Sequence, residues 1–403
     1  MLDFKCRQCG NEECESVIDL GNQYLSDFRL DDKKPKQYPL EVLRCPKCHF
    51  VQLKESAPLS EMYTENYGFK SGVNNTIKAD LLDIVSEVKE YISYVQNPQV
   101  LDIGSNDGTL LSYYGSRYTT HGFDPIKKLC DEAETKANRI VNDFFSLASI
   151  LRNFVSLPKF DAITAISMFY DVERPDDLIS DMAMVLKKTG VLIIQQNYIL
   201  ATLVNNAYDN ICHEHIGYHS LLSMEYLLKR HGLEVVDVST SMVNGGVLRT
   251  TIQYKGYGEV KPSVQKQRDI EAAYKLDTAS PYQGFAQRVK EGAIELKKTI
   301  DAINARGEKC YIYGASTRGG TIWQYAGLDV KDLPFAVDRN PGKVGRKIAS
   351  IGVPIISEEQ ARLDKPEYML VSIWFFKSEI LLREAEYMKN GKLIFPLPDL
   401  EVI

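Results

Sequence analysis

Residues 99–110 read Gln-Val-Leu-Asp-Ile-Gly-Ser-Asn-Asp-Gly-Thr-Leu. Val100 to Ile103 is an apolar run broken only by Asp102, the pattern of a buried strand. Gly104 and Gly108 follow with small polar residues between them, and apolar spacing resumes at Leu110. A strand, a glycine turn and a helix start bring backbone close to a ligand. Neither phosphate-cradling pattern, Gly-x-x-x-x-Gly-Lys-Ser/Thr or Gly-x-Gly-x-x-Gly, is present. Asp102, Asn106 and Asp107 would repel a pyrophosphate, so the loop suits a cationic ligand that carries hydroxyls.

The next segments extend this pattern. Thr119 to Phe123 reads as a second strand and ends in Asp124-Pro125, 22 residues after Asp102. An acid at that strand end accepts hydrogen bonds from ribose hydroxyls. Asn142-Asp143-Phe144-Phe145 stands where a third strand ends, with groups suited to an adenine. Phe160 to Ile166 and Val191 to Gln195 read as strands four and five, and Ser167 follows the fourth. Helical spacers between five strands predict an α/β doubly wound sheet with its ligand over the strand ends. The pattern resembles the class I methyltransferases, which bind S-adenosylmethionine (SAM). The cofactor residues are then Asp102, Gly104, Asn106, Asp124, Asp143 and Ser167.

At 403 residues, 44% hydrophobic and 25% charged, the chain suits two or three globular domains. A net charge of −6 argues against nucleic acid as the main partner. No apolar run approaches membrane-spanning length, and Asp3, Lys5 and Cys6 do not open a signal peptide. We expect a cytoplasmic protein whose eight cysteines are thiols or metal ligands. Cys6-Arg-Gln-Cys9 and Cys45-Pro-Lys-Cys48 are two Cys-x-x-Cys knuckles 35 residues apart, suited to one closed, structural zinc site. A redox role for one pair is the competing reading, and Cys14 is left over. Strands are expected around Val17–Leu20 and Leu40–Leu43.

Met62 to Gly72 is rich in aromatics and glycines, including Tyr67; it reads either as packing surface or as a lid with a phenol facing substrate. Thr76 to Val95 has helical apolar spacing. After strand five comes Asp209-Asn-Ile-Cys-His-Glu-His-Ile-Gly-Tyr-His-Ser220, where half of the six histidines fall in seven residues. His213 and His215 are two apart, which fails the i, i+4 spacing of a helical metal site. General acid/base chemistry is the leading reading, with a metal site and a structural turn as alternatives.

The cysteine pairs, the Asp102 loop, His213-Glu-His-x-x-Tyr-x-Ser and Asn244-Gly-Gly-Val-Leu-Arg249 together resemble the deoxysugar C-methyltransferases across essentially the whole chain. The resemblance implies methyl transfer from SAM to C3 of a nucleotide-linked 4-keto-6-deoxyhexose. It places His215 and Glu214 in the active site, with Tyr218 and Tyr67 in the surrounding network and Asn244 and Arg249 toward substrate. This chain departs from the family at Cys212, where tyrosine is common; at Asp171, where some members have histidine; and at Asn244, often histidine. Asp171 is therefore a further candidate for the chemistry. Methylation of oxygen or nitrogen on another small molecule, or a zinc-stabilised interaction protein with a decayed methyltransferase domain, are the other readings.

Pro262 to Arg306 reads as mostly helical, broken at Ser280-Pro281. Cys310 to Thr321 repeats the strand, glycine turn and helix, and Asp338 repeats the strand-end acid, so a second Rossmann-like unit is expected. Gly314, Arg318 and Lys343 are its candidate diphosphate contacts. The expected domains are 1–62 for zinc, 63–260 for methyl transfer and 261–403 for the nucleotide sugar.

Overall fold

The computed structural model describes residues 4–62 and 70–403. Gln99–Ile103 is an interior strand, fifth of seven across its sheet. Across the sheet the order is Leu233–Ser241, Val247–Tyr254, Leu186–Asn197, Phe160–Ile166, Gln99–Ile103, Thr119–Asp124, Arg139–Asn142. The five strands read from the sequence run parallel. The chain first adds strands on one side of Gln99–Ile103 and then on the other. Their carboxyl ends therefore open a crevice at the point of reversal.

The pair Leu233–Ser241 and Val247–Tyr254 goes beyond the sequence reading. It is an antiparallel hairpin that closes one edge of the sheet. Asn244, Gly245 and Gly246 make its turn at φ of 52°, 89° and 123°, a left-handed path that glycine takes without Cβ strain. Helix Asn75–Tyr91 covers one face of the sheet. Its N-cap Asn74 accepts from the N–H groups of Thr76 and Ile77, and Ile77, Leu81, Ile84, Val85 and Val88 form its buried stripe.

The N-terminal strands Glu15–Tyr24 and Gln37–Arg44 pair antiparallel, and Val51–Leu53 joins them. This sheet is completed from far along the chain. Gly217 and Tyr218, inside the histidine block, pair with Gln52 and Val51. Phe28–Arg29 instead joins the C-terminal sheet through Lys347–Ile348. The zinc module is thus stitched to both other domains.

In the C-terminal sheet, Lys392–Phe395, Tyr368–Val371, Cys310–Tyr313, Ala336–Val337 and Val353–Ile356 run parallel in that order. The break foreseen at Ser280-Pro281 is the start of helix Ser280–Ala305. Helix Pro262–Ala273 packs on the methyltransferase side. Its buried Glu271 accepts from Tyr198 Oη, Leu221 N and Leu222 N. Helix Pro262–Ala273, assigned to the C-terminal domain from the sequence, is thus tied to Tyr198, Leu221 and Leu222 of the preceding one.

Candidate active site

A cavity of about 390 Å³ opens at the carboxyl ends of the parallel strands. Asp102, Gly104, Asn106, Asp124, Asp143 and Ser167 line it, as do Asp171 and Asn244. Eight of its lining residues are Asp or Glu and one, Arg174, is a cation, a field that favours a positively charged ligand. Sequence reading missed Asp80, Asp177 and Asp181 in this wall, since each belongs to an ordinary helical pattern.

The geometry follows from the glycine turn. Gly104, at φ 72°, donates its N–H to the Phe123 carbonyl at 2.8 Å, and a Cβ there would press on Met168 at about 3.0 Å. This draws the loop onto the second strand. Asp124 Oδ2 then accepts from Asn106 N at 2.9 Å and Oδ1 from Ile126 N at 2.9 Å. Each oxygen retains a lone-pair direction toward the cavity. Burial raises the Asp124 pKa, opposed by those two N–H donors. Asp102 is fully enclosed and accepts from Thr164 Oγ1 at 2.6 Å; burial pushes its pKa up to about 7. Asp143 sits at the rim. Its carboxylate is held low by hydrogen bonds from Ser149 and then Arg152.

No residue of the histidine block lines this cavity; His215 reaches its wall through Tyr170. His215 Nδ1 is 2.9 Å from the Asn210 carbonyl oxygen. A carbonyl only accepts, so this nitrogen carries the proton and Nε2 keeps its lone pair. Asn197 Nδ2 lies 3.2 Å from the same Nδ1, and with that nitrogen protonated the amide pairs with it only when flipped, oxygen inward. The His215 ring lies edge-on to Tyr170, centroids 4.4 Å apart, and Tyr170 precedes Asp171 of the cavity wall. Burial and then the Arg318 charge lower the His215 pKa to about 3, so the ring is neutral through the physiological range. Glu214 is half-buried beside it.

Two expectations are corrected, those for Arg249 and Arg318, and Tyr218 stands in the network around His215. Tyr218 is 1% exposed, and its hydroxyl donates at 3.4 Å to the same Asn210 carbonyl that holds His215. It supports the histidine from behind through that shared carbonyl. Arg249 lines neither cavity. It is buried on the sheet, bonded to Gln195 at 2.8 Å and paired with Asp80, Asp83 and Glu87 of helix Asn75–Tyr91 at 3.0, 2.7 and 3.1 Å. Arg318 turns away from the C-terminal cavity, donating to the Asn244 carbonyl and pairing at 2.6 Å with Asp209, which is fully buried. Trp374 Nε1 donates to the same Asp209 oxygen at 3.1 Å. Tyr67 lies outside the described residues.

That second cavity, about 270 Å³, sits over the C-terminal strand ends and is lined by Gly314, Lys343 and Asp338 among others. Lys343 Nζ donates to the Ala315 carbonyl at 2.7 Å.

In the N-terminal module the sulfur atoms of Cys6, Cys9, Cys45 and Cys48 all lie within 4.8 Å of one another. Cys6–Cys48 and Cys9–Cys45 are each 3.6 Å apart. Tetrahedral Zn–S bonds of about 2.3 Å place sulfurs about 3.8 Å apart, so the set fits zinc and leaves no open position. Cys14 is half-buried outside this set of four.

Three family models tile the chain: a zinc-binding domain over residues 6–63, a methyltransferase domain over 76–238 and a C-methyltransferase C-terminal domain over 242–398. The chain belongs to the SAM-dependent C-methyltransferases that carry an N-terminal zinc-binding domain. The C-methyltransferase NovU of Streptomyces niveus is 26% identical over 409 residues, spanning 99% of this chain and 96% of that protein. Among solved structures, the plantazolicin methyltransferase BpumL with SAH is 14% identical. It covers 45% of this chain and 86% of that one at a TM-score of 0.36. The magnesium protoporphyrin IX methyltransferase of Synechocystis with SAM is also 14% identical, covering 46% and 86% at a TM-score of 0.34. The acidic cavity fits SAM and the four thiolates fit a zinc ion. No helix among the described residues is long and apolar enough to cross a membrane.

Proposed function

We propose that this C-methyltransferase moves the SAM methyl group to C3 of a nucleotide-linked 4-keto-6-deoxy sugar. The carrying observation is His215: a neutral, half-buried imidazole whose protonated nitrogen is committed to Asn210 and whose Nε2 lone pair is left for a substrate proton. The resemblance of the His-Glu-His block to the deoxysugar enzymes supports the substrate class, as does the second cavity near the first. SAM supplies an electrophilic methyl carbon on a sulfonium.

His215 Nε2 takes the proton from C3, which the neighbouring C4 ketone acidifies, and the electron pair moves to the C4 oxygen as an enolate. The enolate carbon then bonds to the methyl, and the sulfur keeps the electrons of the broken bond. Glu214, next to His215 in sequence, and Asp171, in the cavity wall, polarise the base or meet the enolate oxygen in this reading. Asp124 accepts the cofactor ribose hydroxyls, Asp102 faces its cationic end, and Asp143 reads its adenine. Asn244, in the cavity wall and tied to Arg318, orients the sugar. Gly314 and Lys343 hold the nucleotide end. The reading includes a cytoplasmic location, in keeping with eight cysteines that form no disulfide.

The test is incubation with methyl-labelled SAM and a set of nucleotide 4-keto-6-deoxyhexoses, followed by NMR of the product. Label on C3 supports the proposal. Label on oxygen or nitrogen, or no acceptor in the set, overturns it.

A further inference from the structure

The turn at residues 208–211 heads the histidine block and carries the carbonyl that meets His215. Ile211 N donates to the Tyr208 carbonyl at 2.9 Å. That N–H and the Asn210 carbonyl belong to one planar peptide and point opposite ways. The turn therefore aims the Asn210 carbonyl away from itself, onto His215 Nδ1 at 2.9 Å. A neutral imidazole carries its proton on either nitrogen, and the hydrogen bond made at one of them selects the form. His215 can take a substrate proton on Nε2 only while its own proton stays on Nδ1. With the carbonyl turned away, that proton would be free to settle on Nε2 and leave no lone pair there.

The other three residues of this turn are held by the C-terminal domain. Asp209 Oδ2 accepts from Arg318 Nη2 at 2.6 Å and from Trp374 Nε1 at 3.1 Å. The Ile211 carbonyl accepts from Thr321 Oγ1 at 2.7 Å. The Tyr208 ring meets the Tyr325 ring edge-on, centroids 5.9 Å apart. Arg318 and Thr321 stand one turn apart at the start of helix Gly319–Tyr325, so both reach the same side. Asn210 itself is buried, and its side-chain amide donates to Thr202 Oγ1 at 3.2 Å. Arg318 Nη1 also donates to the Asn244 carbonyl at 2.5 Å, which ties the same anchor to the wall of the SAM cavity.

We propose that Arg318, Thr321 and Trp374 are positioning residues, which fix this turn so that the Asn210 carbonyl keeps the His215 proton on Nδ1. The C-terminal domain thereby sets the tautomer of a base that belongs to the methyltransferase domain. This rests on His215 acting as the base in the function proposed above, and adds what orients it.

Two mild variants test it. Thr321→Val keeps the side-chain shape and removes the hydroxyl; Trp374→Phe removes the indole N–H and leaves the pair between Arg318 and Asp209 in place. In each, kcat should fall about 2- to 10-fold, the factor for one hydrogen bond, while KM for the keto sugar and SAH affinity hold. Thr321→Ser restores the hydroxyl and should recover kcat. The proton is located directly in ¹⁵N-histidine-labelled full-length protein, where the nitrogen shifts separate an N–H from a lone-pair nitrogen; His215→Asn identifies the signal. Wild-type His215 should carry the proton on Nδ1, and both variants should move part of it to Nε2. The proposal is overturned by a wild-type proton on Nε2, by a tautomer ratio unchanged in the variants, or by a KM that rises while kcat holds. Should one variant misfold, the other gives the answer. The tautomer measurement needs no substrate. If no keto sugar is methylated, or if His215→Asn keeps its kcat, the function proposed above falls, and the nitrogen shifts still settle the positioning.

Discussion

Arg318, from the C-terminal domain, and Asp209, at the head of the histidine block, are 109 residues apart in sequence and 2.6 Å apart in space. Asp209 has no solvent exposure and the arginine side chain has 13%. Removing either partner strands a buried charge, which costs about 3–5 kcal/mol. Arg318→Met should therefore destabilise the fold by that order in urea unfolding, and Asp209→Asn by a similar amount. The double variant should recover part of the loss. Additive losses would show that the pair is not coupled.

For His215 the expected signature is kinetic. His215→Asn should bind SAH normally and lose about 10²- to 10⁴-fold in kcat, the range for general acid/base groups. Its folded pKa of about 3 lies below the ordinary 6.5, so the imidazole is already deprotonated across neutral pH. The kcat profile should therefore show no acid limb from this residue between pH 5 and 8. An inflection near 6.5 that disappears in the variant would contradict the burial argument. With an inert SAM analogue bound, wild-type protein in D₂O should exchange the C3 proton and the variant should not.

Asp102 links pH to stability in the opposite sense from a salt-bridged acid. Burial raises its folded pKa to about 7 from the ordinary aspartate value of 3.8. The stability it contributes as the neutral acid is full below pH 4 and is lost as pH rises through 7. Asp102→Asn should remove this loss, making the ligand-free variant about 1–4 kcal/mol more stable than wild type at pH 8 and close to it at pH 4. Thermal unfolding at both values checks the sign. The same substitution should weaken SAM, because a cationic ligand favours the ionised carboxylate.

Zinc should bind at about one per chain, and its removal should be felt at the histidines. Cys48 leads through His49 into Phe50, whose ring packs on His219 at 4.5 Å. Val51 and Gln52 then pair with Tyr218 and Gly217. His213 Nε2 lies 3.1 Å from the Tyr38 carbonyl of the same module. Chelation or Cys45→Ser should speed amide exchange in residues 213–219 beyond any change in the strand Gln99–Ile103. Uniform acceleration of both would reduce the zinc to a global stabiliser.

The two Rossmann-like units and the zinc knuckles were legible in the chain because each makes a local demand. A glycine must turn the backbone after a buried strand, an acid must end the next strand, and two thiolates must share one tight turn. Each requirement is written in a short stretch of consecutive chain, so Gly104, Asp124, Gly314, Asp338 and the four cysteines could be read in order. Hairpin Leu233–Tyr254 was missed because its second strand is buried on both faces and lacks an alternating period.

Tertiary structure alone decided what the long polar side chains do. Arg249 stands in a motif that resembles a substrate contact, yet its carboxylate partners lie 162 to 169 residues upstream. Arg318 belongs to a glycine turn over one cavity and points its guanidinium toward the other. Tyr218 stands three residues from His215 and is turned behind it by pairing with Val51. A flexible side chain reaches several ångströms in any direction its rotamers allow. Which charge or carbonyl it meets is set by the packing of segments distant in sequence.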